Sequence, residues 1–253
     1  MGGIRGNYLR SGHDSLVAFS AMRISVVIPV FEDRAEVLQQ VLRLEGAEEV
    51  IVVDASRREP LRDGDLPVGV KLIRSAVANR AYQQNLGAEA ARGEAVLFLH
   101  ADTRLPENAL RQVRRALEEG RAAGGGFERT FDSSSRFLRW TCALAAHRGR
   151  RVGWFLGDQA LFVRRTVFEQ IGGFRLLRAF EDYDLCRRLK RCGRMVCVSP
   201  PVVSSARRFT REGAMWRSLK DFGLTVLYCV AGTRPFRAIQ NVEIKEGLRP
   251  PTP

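Results

Sequence analysis

Apolar runs and stretches of helical periodicity alternate along the first half of the chain. Residues 24–30 (ISVVIPV) and 49–54 (EVIVVD) are apolar runs rich in β-branched side chains, which is typical of strands buried on both faces of a sheet. Between them, valine and leucine side chains recur at helical spacing over about residues 33–44. A strand, a helix and a second buried strand predict a parallel unit, and therefore an α/β fold with a mostly parallel, Rossmann-like sheet flanked by helices.

The same alternation continues to about residue 121 and then becomes less regular. Pro106 stands where a first-turn proline would open a helix. The other predicted elements are strands at 70–73, 95–100, 124–131 and 160–163 and helices at 80–92, 133–147 and 183–191. Because no proline-rich or serine-rich linker separates the halves, we expect one domain. Its predicted parts are a leader at 1–22, a nucleotide half at about 23–121, an acceptor half at about 122–232 and a tail at 233–253.

Composition and charge narrow the function classes. The 253 residues are 45% hydrophobic, which suits a compact enzyme and excludes a disordered or fibrous chain. The 41 basic and 28 acidic residues give a net charge of +13, which favours anionic partners unless it reflects only a composition rich in arginine. A nucleic-acid-binding protein is a possible alternative, but the basic residues are dispersed and no helix-turn-helix, zinc module or aromatic RNA-binding motif is present. We therefore expect no specific nucleic-acid partner.

The cysteines and the length of the longest late apolar run indicate the cellular compartment that we expect. The five cysteines form no CxxC pair, which disfavours both a disulfide framework and a zinc site and favours a reducing, cytoplasmic environment. The apolar run at residues 222–231 is shorter than the roughly 20 residues that a spanning helix needs. We interpret this run as a core element or as a peripheral contact with the membrane surface.

Polar side chains follow three of the predicted parallel strands. Glu32 follows the first strand, Asp54 ends the second, and His100-Ala101-Asp102 follows the strand that begins at Ala95. Ligands of open α/β sheets bind at this carboxyl edge, although any one acid there can instead cap a helix or turn. No GxGxxG or GxxxxGK[ST] motif is present, so bound phosphates would need a metal ion and arginines.

Six short motifs in fixed order resemble glycosyltransferase family 2, with its GT-A fold. They cover about residues 23–210 and read IPVFED, VVD, NRAYQQN, FLHADT, GDQALFVRR and FEDYDLCRRL. Within the family the chain is similar to the small subfamily found beside radical-SAM and selenium or arsenosugar genes. The resemblance implies a hexosyltransferase that transfers a sugar from a nucleotide-diphosphate donor, with a UDP-sugar favoured, to a hydroxyl acceptor. It further implies an inverting single displacement, with a divalent cation, Mn²⁺ or Mg²⁺, as cofactor.

The resemblance also assigns roles to individual residues. It makes Asp182 the general base, and it makes Glu181 a neighbour that positions the acceptor or the start of the helix. Without the resemblance, an acid pair at a helix start is often only a cap. Asp102 is the expected metal ligand, and His100, which replaces the first acid of the DxD motif, either joins it, contacts a phosphate or packs at the strand end. Asp54 is expected to read the base unless it is a turn cap. The nucleotide site is assigned to Pro29, Val30, Glu32, Asp54, Arg80, Asn85, His100, Ala101 and Asp102, the acceptor site to Trp154, Gly157, Asp158 and Gln159, and the diphosphate contact to Arg207 and Arg208.

Two other interpretations, one enzymatic and one without catalysis, remain open from the sequence. A nucleotidyltransferase shares the nucleotide-binding half and the use of a metal, but IPVFEDR lacks the glycine-rich basic signature expected after the first strand. A family member that binds nucleotide sugars without catalysis is the other, because His100 replaces an acid of the metal motif.

Overall fold

The computed structural model describes residues 22–44, 47–118, 122–207, 209, 223–228 and 230–236. These residues build one mixed sheet with helices on its faces, as the α/β pattern predicts. The strands are β1 (Ile24–Val30), β2 (Glu49–Asp54), β3 (Val70–Arg74), β4 (Ala95–Phe98), β5 (Thr103–Arg104), β6 (Gly124–Phe131), β7 (Phe162–Arg164) and β8 (Met195–Ser204). The helices are α1 (Arg34–Leu42), α2 (Arg80–Glu89), α3 (Ala109–Glu118), α4 (Arg136–Val152), α5 (Arg165–Gln170) and α6 (Glu181–Leu189).

The sheet has the strand order β3-β2-β1-β4-β7-β6-β8-β5. Strands β3, β2, β1 and β4 are parallel, and β7 runs antiparallel to both β4 and β6. Because β1 and β2 are in register from Ser25 to Val30, Val30 lies opposite Asp54 at the carboxyl edge. The sheet thus brings the polar strand ends to one edge.

Side chains of β1 alternate between two hydrophobic cores. Ile24, Val26 and Ile28 are buried in the core that also contains residues of α1 and α3, whereas Val27 is buried in the core with residues of α2 and α6. Both faces of a central parallel strand are therefore covered, which explains its continuous apolar sequence.

Strand β8 was not predicted, because two consecutive prolines interrupt its sequence. Pro200 and Pro201 cannot donate to a strand ladder. They lie where the pairing of β6 with β8 shifts register, between the pairs Phe127 with Val198 and Arg129 with Val202. A bulge at this point accommodates the missing donors, so the strand continues on both sides. The short helix α5 was also not predicted.

Several predicted element boundaries were wrong for local backbone reasons. Pro106 does not begin a helix: α3 begins at Ala109, after Asn108 has adopted a left-handed conformation with φ of 61°. Helix α4 extends five residues beyond the predicted end and stops at Gly153, whose φ of 68° favours glycine. Helix α6 begins at Glu181 and not at Tyr183, which places both acids inside its first turn.

The described part of the late apolar run joins the core on one side. Tyr228 is buried, with its ring 5.9 Å from that of Tyr183, whereas Val226 and Leu227 are exposed. No helix in the described ranges has the length and apolarity that a bilayer crossing requires. Arg208 and nearly all of the predicted leader and tail lie outside the described residues.

The first testable prediction concerns Gln83, which joins the carboxyl ends of β1 and β2. Its buried Nε2 donates to the carbonyl oxygens of Val30 and Val53, at 2.7 and 2.8 Å. Gln83→Ala should lower the free energy of unfolding in urea by about 1–3 kcal/mol, because it removes both hydrogen bonds from buried acceptors. Gln39→Ala, on the exposed face of α1, is the matched control and should change it by less than about 0.5 kcal/mol. Equal effects of the two substitutions would contradict the assignment.

Candidate active site

Glu32 and Asp54 tie together the loops that follow β1 and β2. The carboxylate of Glu32 accepts hydrogen bonds from the backbone N–H groups of Arg57 and Arg58, at 3.0 and 3.1 Å. The Arg57 hydrogen bond is the main reason that the pKa of Glu32 lies below its usual range. Asp54 has no exposed side-chain surface and accepts from the N–H groups of Ser56 and Leu61, both at 2.8 Å. Both acids therefore shape the 56–61 loop, and their direct contact with a nucleotide stays a prediction.

Arg80, the first residue of α2, connects this edge to the start of α6. Asn79 caps the helix by accepting from the N–H of Tyr82 at 3.0 Å. From this fixed position the Nε of Arg80 donates to Oε1 of Glu181 at 2.6 Å, and its Nη1 lies 3.4 Å from Nε2 of His100. The predicted nucleotide residues Arg80 and His100 thus meet one of the two predicted catalytic acids.

Asp182 is held in a buried position with one oxygen unused. Its Oδ2 accepts a hydrogen bond of 2.8 Å from the N–H of Gly157, whereas its buried Oδ1 has no partner among the described residues. Burial, and then the charge of Glu181, raise the pKa of Asp182 to about 7, against the opposing effect of Arg80. The group can therefore exchange a proton near neutral pH.

Gly157 permits the close approach of His100 and Asp182. A Cβ placed on Gly157 would overlap the imidazole ring of His100 and lie 3.0 Å from Oδ2 of Asp182. Any larger residue at 157 would push one of these side chains away. The glycine predicted for the acceptor side is consequently also a packing requirement of the site.

The other predicted acceptor residues differ in their accessibility. Asp158 is partly exposed and forms an ion pair with Arg129. Burial acts to raise the pKa of Asp158, but Arg129 and His100 outweigh it and hold this pKa below its usual value. Gln159 is fully buried and uses both side-chain atoms within the protein, with Oε1 accepting from Arg148 at 2.8 Å. Trp154 is partly buried, with its ring 5.6 Å from that of Tyr183. Acceptor contacts by these residues stay predictions.

The remaining residues that were predicted to bind the nucleotide lie at strand ends and turns or hold neighbouring loops in place. Asn85 exchanges two hydrogen bonds of 2.8 Å with the backbone of Phe174, which fixes the loop leading to α6. Pro29 and Val30 end β1, and Ala101 follows β4 in the same turn as Asp102. The backbone oxygen of Asp102 accepts from the N–H of Ser205, so this turn is joined to the end of β8.

Arg207 pairs with acidic residues near the start of α1. Its guanidinium pairs with Glu36, and its Nη2 lies 3.6 Å from Asp33, both near the start of α1. Its side chain is half exposed, and its contact with a diphosphate stays a prediction. Its predicted neighbour in the diphosphate contact, Arg208, falls outside the described residues.

Left-handed backbone conformations flank the site. Among the described non-glycine residues, φ is positive at Glu32 (56°), Ala160 (44°) and Phe180 (63°), as well as at Asn108. Glu32 follows β1, Ala160 follows the Asp182-binding turn, and Phe180 immediately precedes Glu181. Such conformations cost on the order of 1–3 kcal/mol each and persist where the surroundings enforce them. Three of these strained residues thus mark the site independently of its chemistry.

Two arginines of the site were missed from the sequence. Arg129 pairs with Asp158, and Arg148 donates to Gln159 and to the carbonyl oxygen of Trp154. Both lie among many other arginines and follow no motif. Arg129 lies on β6 and Arg148 on α4. Only the periodicity of these two elements could have suggested that the two side chains point toward the interior.

Comparison with known proteins identifies the family. A model of "Glycosyl transferase family 2" matches residues 25–183. The chain belongs to this family. No curated protein matches the chain. The match ends at Tyr183, so it contains the Arg80 contact, the turn at Gly157 and the adjacent acids Glu181 and Asp182.

Solved glycosyltransferases share the fold of this family 2 chain at low sequence identity. TarS from S. aureus matches with a TM-score of 0.58 and 16% identity, over 73% of this chain and 37% of TarS. A TarS 1–349 structure in complex with UDP-GlcNAc matches at 0.55 and 14%, over 73% of this chain and 58% of that one. The mannosyltransferase PcManGT from Pyrobaculum calidifontis, in complex with GDP-Man and Mn²⁺, matches at 0.53 and 19%, over 74% and 57%. This chain therefore spans less than two thirds of each of these proteins.

GT-A glycosyltransferases of this kind generally use divalent cations, and the PcManGT structure contains Mn²⁺. Within the described residues no three His, Cys, Asp or Glu side chains are grouped closely enough to hold a metal ion. Nucleotide-bound Mg²⁺ is usually held by one or two carboxylates and by substrate phosphates, without a complete protein cage. A single carboxylate such as Asp102 therefore fits this mode of binding. His100 is less suited, because its Nε2 faces the Arg80 guanidinium.

A second prediction follows from the buried carboxylate of this family 2 site. The pKa of Asp182 is about 7 in the folded chain against an ordinary value of 3.8. Between these two pH values the folded state keeps a proton on Asp182 that the unfolded state has lost. Its contribution to stability is therefore greatest at low pH and is lost as the pH rises to about 7. An asparagine side chain does not ionise, so Asp182→Asn should gain stability relative to the parent on going from pH 5 to pH 8, by about 3 kcal/mol, because roughly two units of the pKa difference lie within this pH range.

Urea unfolding of parent and variant at both pH values measures this difference. Asp63→Asn, an exposed position on a short 3₁₀ helix, is the control. If Asp182→Asn and Asp63→Asn respond to pH alike, the carboxylate is not buried as described.

Proposed function

We propose that the protein is an inverting glycosyltransferase that transfers a hexose from a nucleotide-diphosphate donor to an acceptor hydroxyl. The observation that carries the proposal is the buried Asp182, with one oxygen fixed by Gly157 and the other unpaired among the described residues. An acceptor hydroxyl needs a base to receive its proton as the new bond forms. A carboxylate whose pKa is near 7 suits this role at neutral pH.

In a single displacement, the two acids of α6 named above and the two arginines have separate roles. Asp182 receives the acceptor proton, and Glu181 remains paired with Arg80 and so fixes the start of α6. The sugar passes directly to the acceptor oxygen, so the configuration at its anomeric carbon is inverted. The donor diphosphate leaves with its negative charge, which Arg80 and Arg207 can help to balance at the edge of the sheet.

We propose a UDP-sugar as the donor and a divalent cation held by Asp102 and the donor phosphates. Support for the donor comes from the TarS complexes with UDP and UDP-GlcNAc, and support for the cation from the Mn²⁺ in PcManGT. When bound, such a cation offsets the charge that develops on the leaving diphosphate. In this proposal His100 contacts Arg80 and does not serve as a ligand.

Replacement of the proposed base is the third prediction. Asp182→Asn should reduce turnover about 10²- to 10⁴-fold, which is the usual contribution of general base catalysis, while donor affinity by calorimetry stays near the parent value. The parent rate should fall as the pH drops below about 7, because protonation removes the base. Glu169→Gln, at an exposed position on α5, is the control. Normal turnover of Asp182→Asn, or a product with the donor's anomeric configuration, would overturn the mechanism.

The fourth prediction concerns the cation. Asp102→Ala should abolish the increase in donor affinity that Mn²⁺ produces, because the proposed protein ligand is gone. His100→Ala should keep this increase, and the circular dichroism of both variants should match the parent. An unchanged response of Asp102→Ala to Mn²⁺ would contradict the assignment, and loss of the response in His100→Ala would make the histidine a ligand.

The fifth prediction separates two roles for Asp54. We propose that it defines the base pocket through the 56–61 loop that it holds. Asp54→Ala should then weaken binding of UDP, GDP and CDP alike and lower the free energy of unfolding by about 1–3 kcal/mol. Calorimetry with the three nucleotides is the measurement. A loss confined to one base, with unchanged stability, would instead make Asp54 a direct reader of the base.

A further inference from the structure

Helix α4 exposes large apolar side chains on the side facing away from the sheet. Its inner face is buried, through Leu138, Cys142, Ala145 and Gly149. On the outer face Trp140 is 60% exposed and Leu144 50% exposed. These two lie one helical turn apart, and the Trp140 ring is 6.3 Å from that of Phe137. The outer face of a surface helix is ordinarily polar, so this arrangement needs an explanation.

The charge of α4 is entirely positive. The helix contains five arginines and no acidic residue. Arg148 is directed inward to Gln159, and Arg150 pairs with Glu128. The other three, Arg136, Arg139 and Arg151, are exposed and form no ion pair with the residues that the structure describes. An unneutralised cationic helix with a protruding tryptophan therefore faces outward.

We propose that the outer face of α4, formed by Trp140, Leu144, Arg136, Arg139 and Arg151, docks on the surface of an anionic lipid bilayer. Tryptophan favours the headgroup region, where its ring is partly in the apolar phase, and the arginines contact lipid phosphates. Reversible membrane binding of useful strength generally needs both an apolar and an electrostatic contribution, and α4 supplies both. A nucleic acid could also bind the arginines of this face. Trp140 and Leu144 together favour a partner with an apolar phase, and a bilayer has one.

The docking face and the acceptor segment are parts of one unit. Helix α4 ends at Gly153, and Trp154 follows directly. The Nε of Arg148 donates to the carbonyl oxygen of Trp154 at 3.0 Å, which holds that segment against the helix. A docked α4 brings the proposed acceptor side close to the lipid surface and favours an acceptor hydroxyl that is presented there. This consequence for the acceptor rests on the proposed function, whereas docking itself does not.

The test is sedimentation of the full chain with vesicles, without donor or acceptor. The chain should bind phosphatidylcholine vesicles that contain roughly 30 mol% phosphatidylserine, should bind pure phosphatidylcholine weakly, and should be released by high salt. The variants Trp140→Gln with Leu144→Gln, and Arg136→Gln with Arg139→Gln, should each lose about tenfold or more in affinity. The matched control, Leu42→Gln with Arg43→Gln at the exposed end of α1, should bind as the parent does.

Four outcomes would overturn the proposal. Equal loss in the α1 control would show a general charge effect, and unchanged vesicle binding of the Trp140 variant would move the contact to another segment. If light scattering shows a dimer of the parent and a monomer of the Trp140 variant, the partner of the α4 face is a second copy of the chain. Tighter binding to random RNA than to anionic vesicles, with the same Trp140 dependence, would make it nucleic acid. Asp182→Asn should sediment like the parent, so a failure of the catalytic proposal is distinguishable from a failure of docking.

Discussion

Two adjacent carboxylates, Glu181 and Asp182, are buried at the start of α6, and the arrangement of the site depends on balancing their charge. Burial of an ion without a partner is costly, so each acid needs either a cation or a proton. Arg80 provides one cation, and it binds Glu181 directly. Among the described residues, Asp182 receives only a backbone hydrogen bond, from Gly157. Burial therefore raises the pKa of Asp182 to about 7, so its carboxyl group holds a proton up to near neutral pH.

Helix α2 positions Arg80, which pairs with Glu181. Gln83 fixes the helix to the ends of β1 and β2, and Asn85 fixes it to the loop before α6. Arg80 extends from the first turn of this anchored helix. The position of Arg80 against Glu181 consequently depends on hydrogen bonds that hold α2 to the sheet and to that loop. The ring of Phe180, whose backbone is left-handed, packs on Tyr228 and Phe236.

The sequence predicted those parts of the molecule that depend on local patterns. Strands β1, β2 and β4 contain continuous apolar runs, and the acids at or just after their ends come to one edge because the strands are parallel. Strand β8 was missed because Pro200 and Pro201 are tolerated only at the register shift opposite β6, which no local pattern reveals. The contact of Arg80 with Glu181 joins residues 101 positions apart, and the need for glycine at 157 arises from His100 and Asp182 together. Such contacts depend on the tertiary fold, so spacing along the chain could not supply them.

The histidine at position 100 also affects the charge balance. Its imidazole Nε2 lies 3.4 Å from Nη1 of Arg80. An aspartate in its place would add a negative charge to a site in which Glu181 and Asp158 already raise the pKa of Asp182. A histidine adds no negative charge at this edge, so no further carboxylate opposes the pairing of Arg80 with Glu181. In the proposed mechanism, the departure from the DxD pattern leaves Asp102 as the acid of that motif and gives Arg80, which already contacts Glu181, a part in balancing the charge of the donor diphosphate.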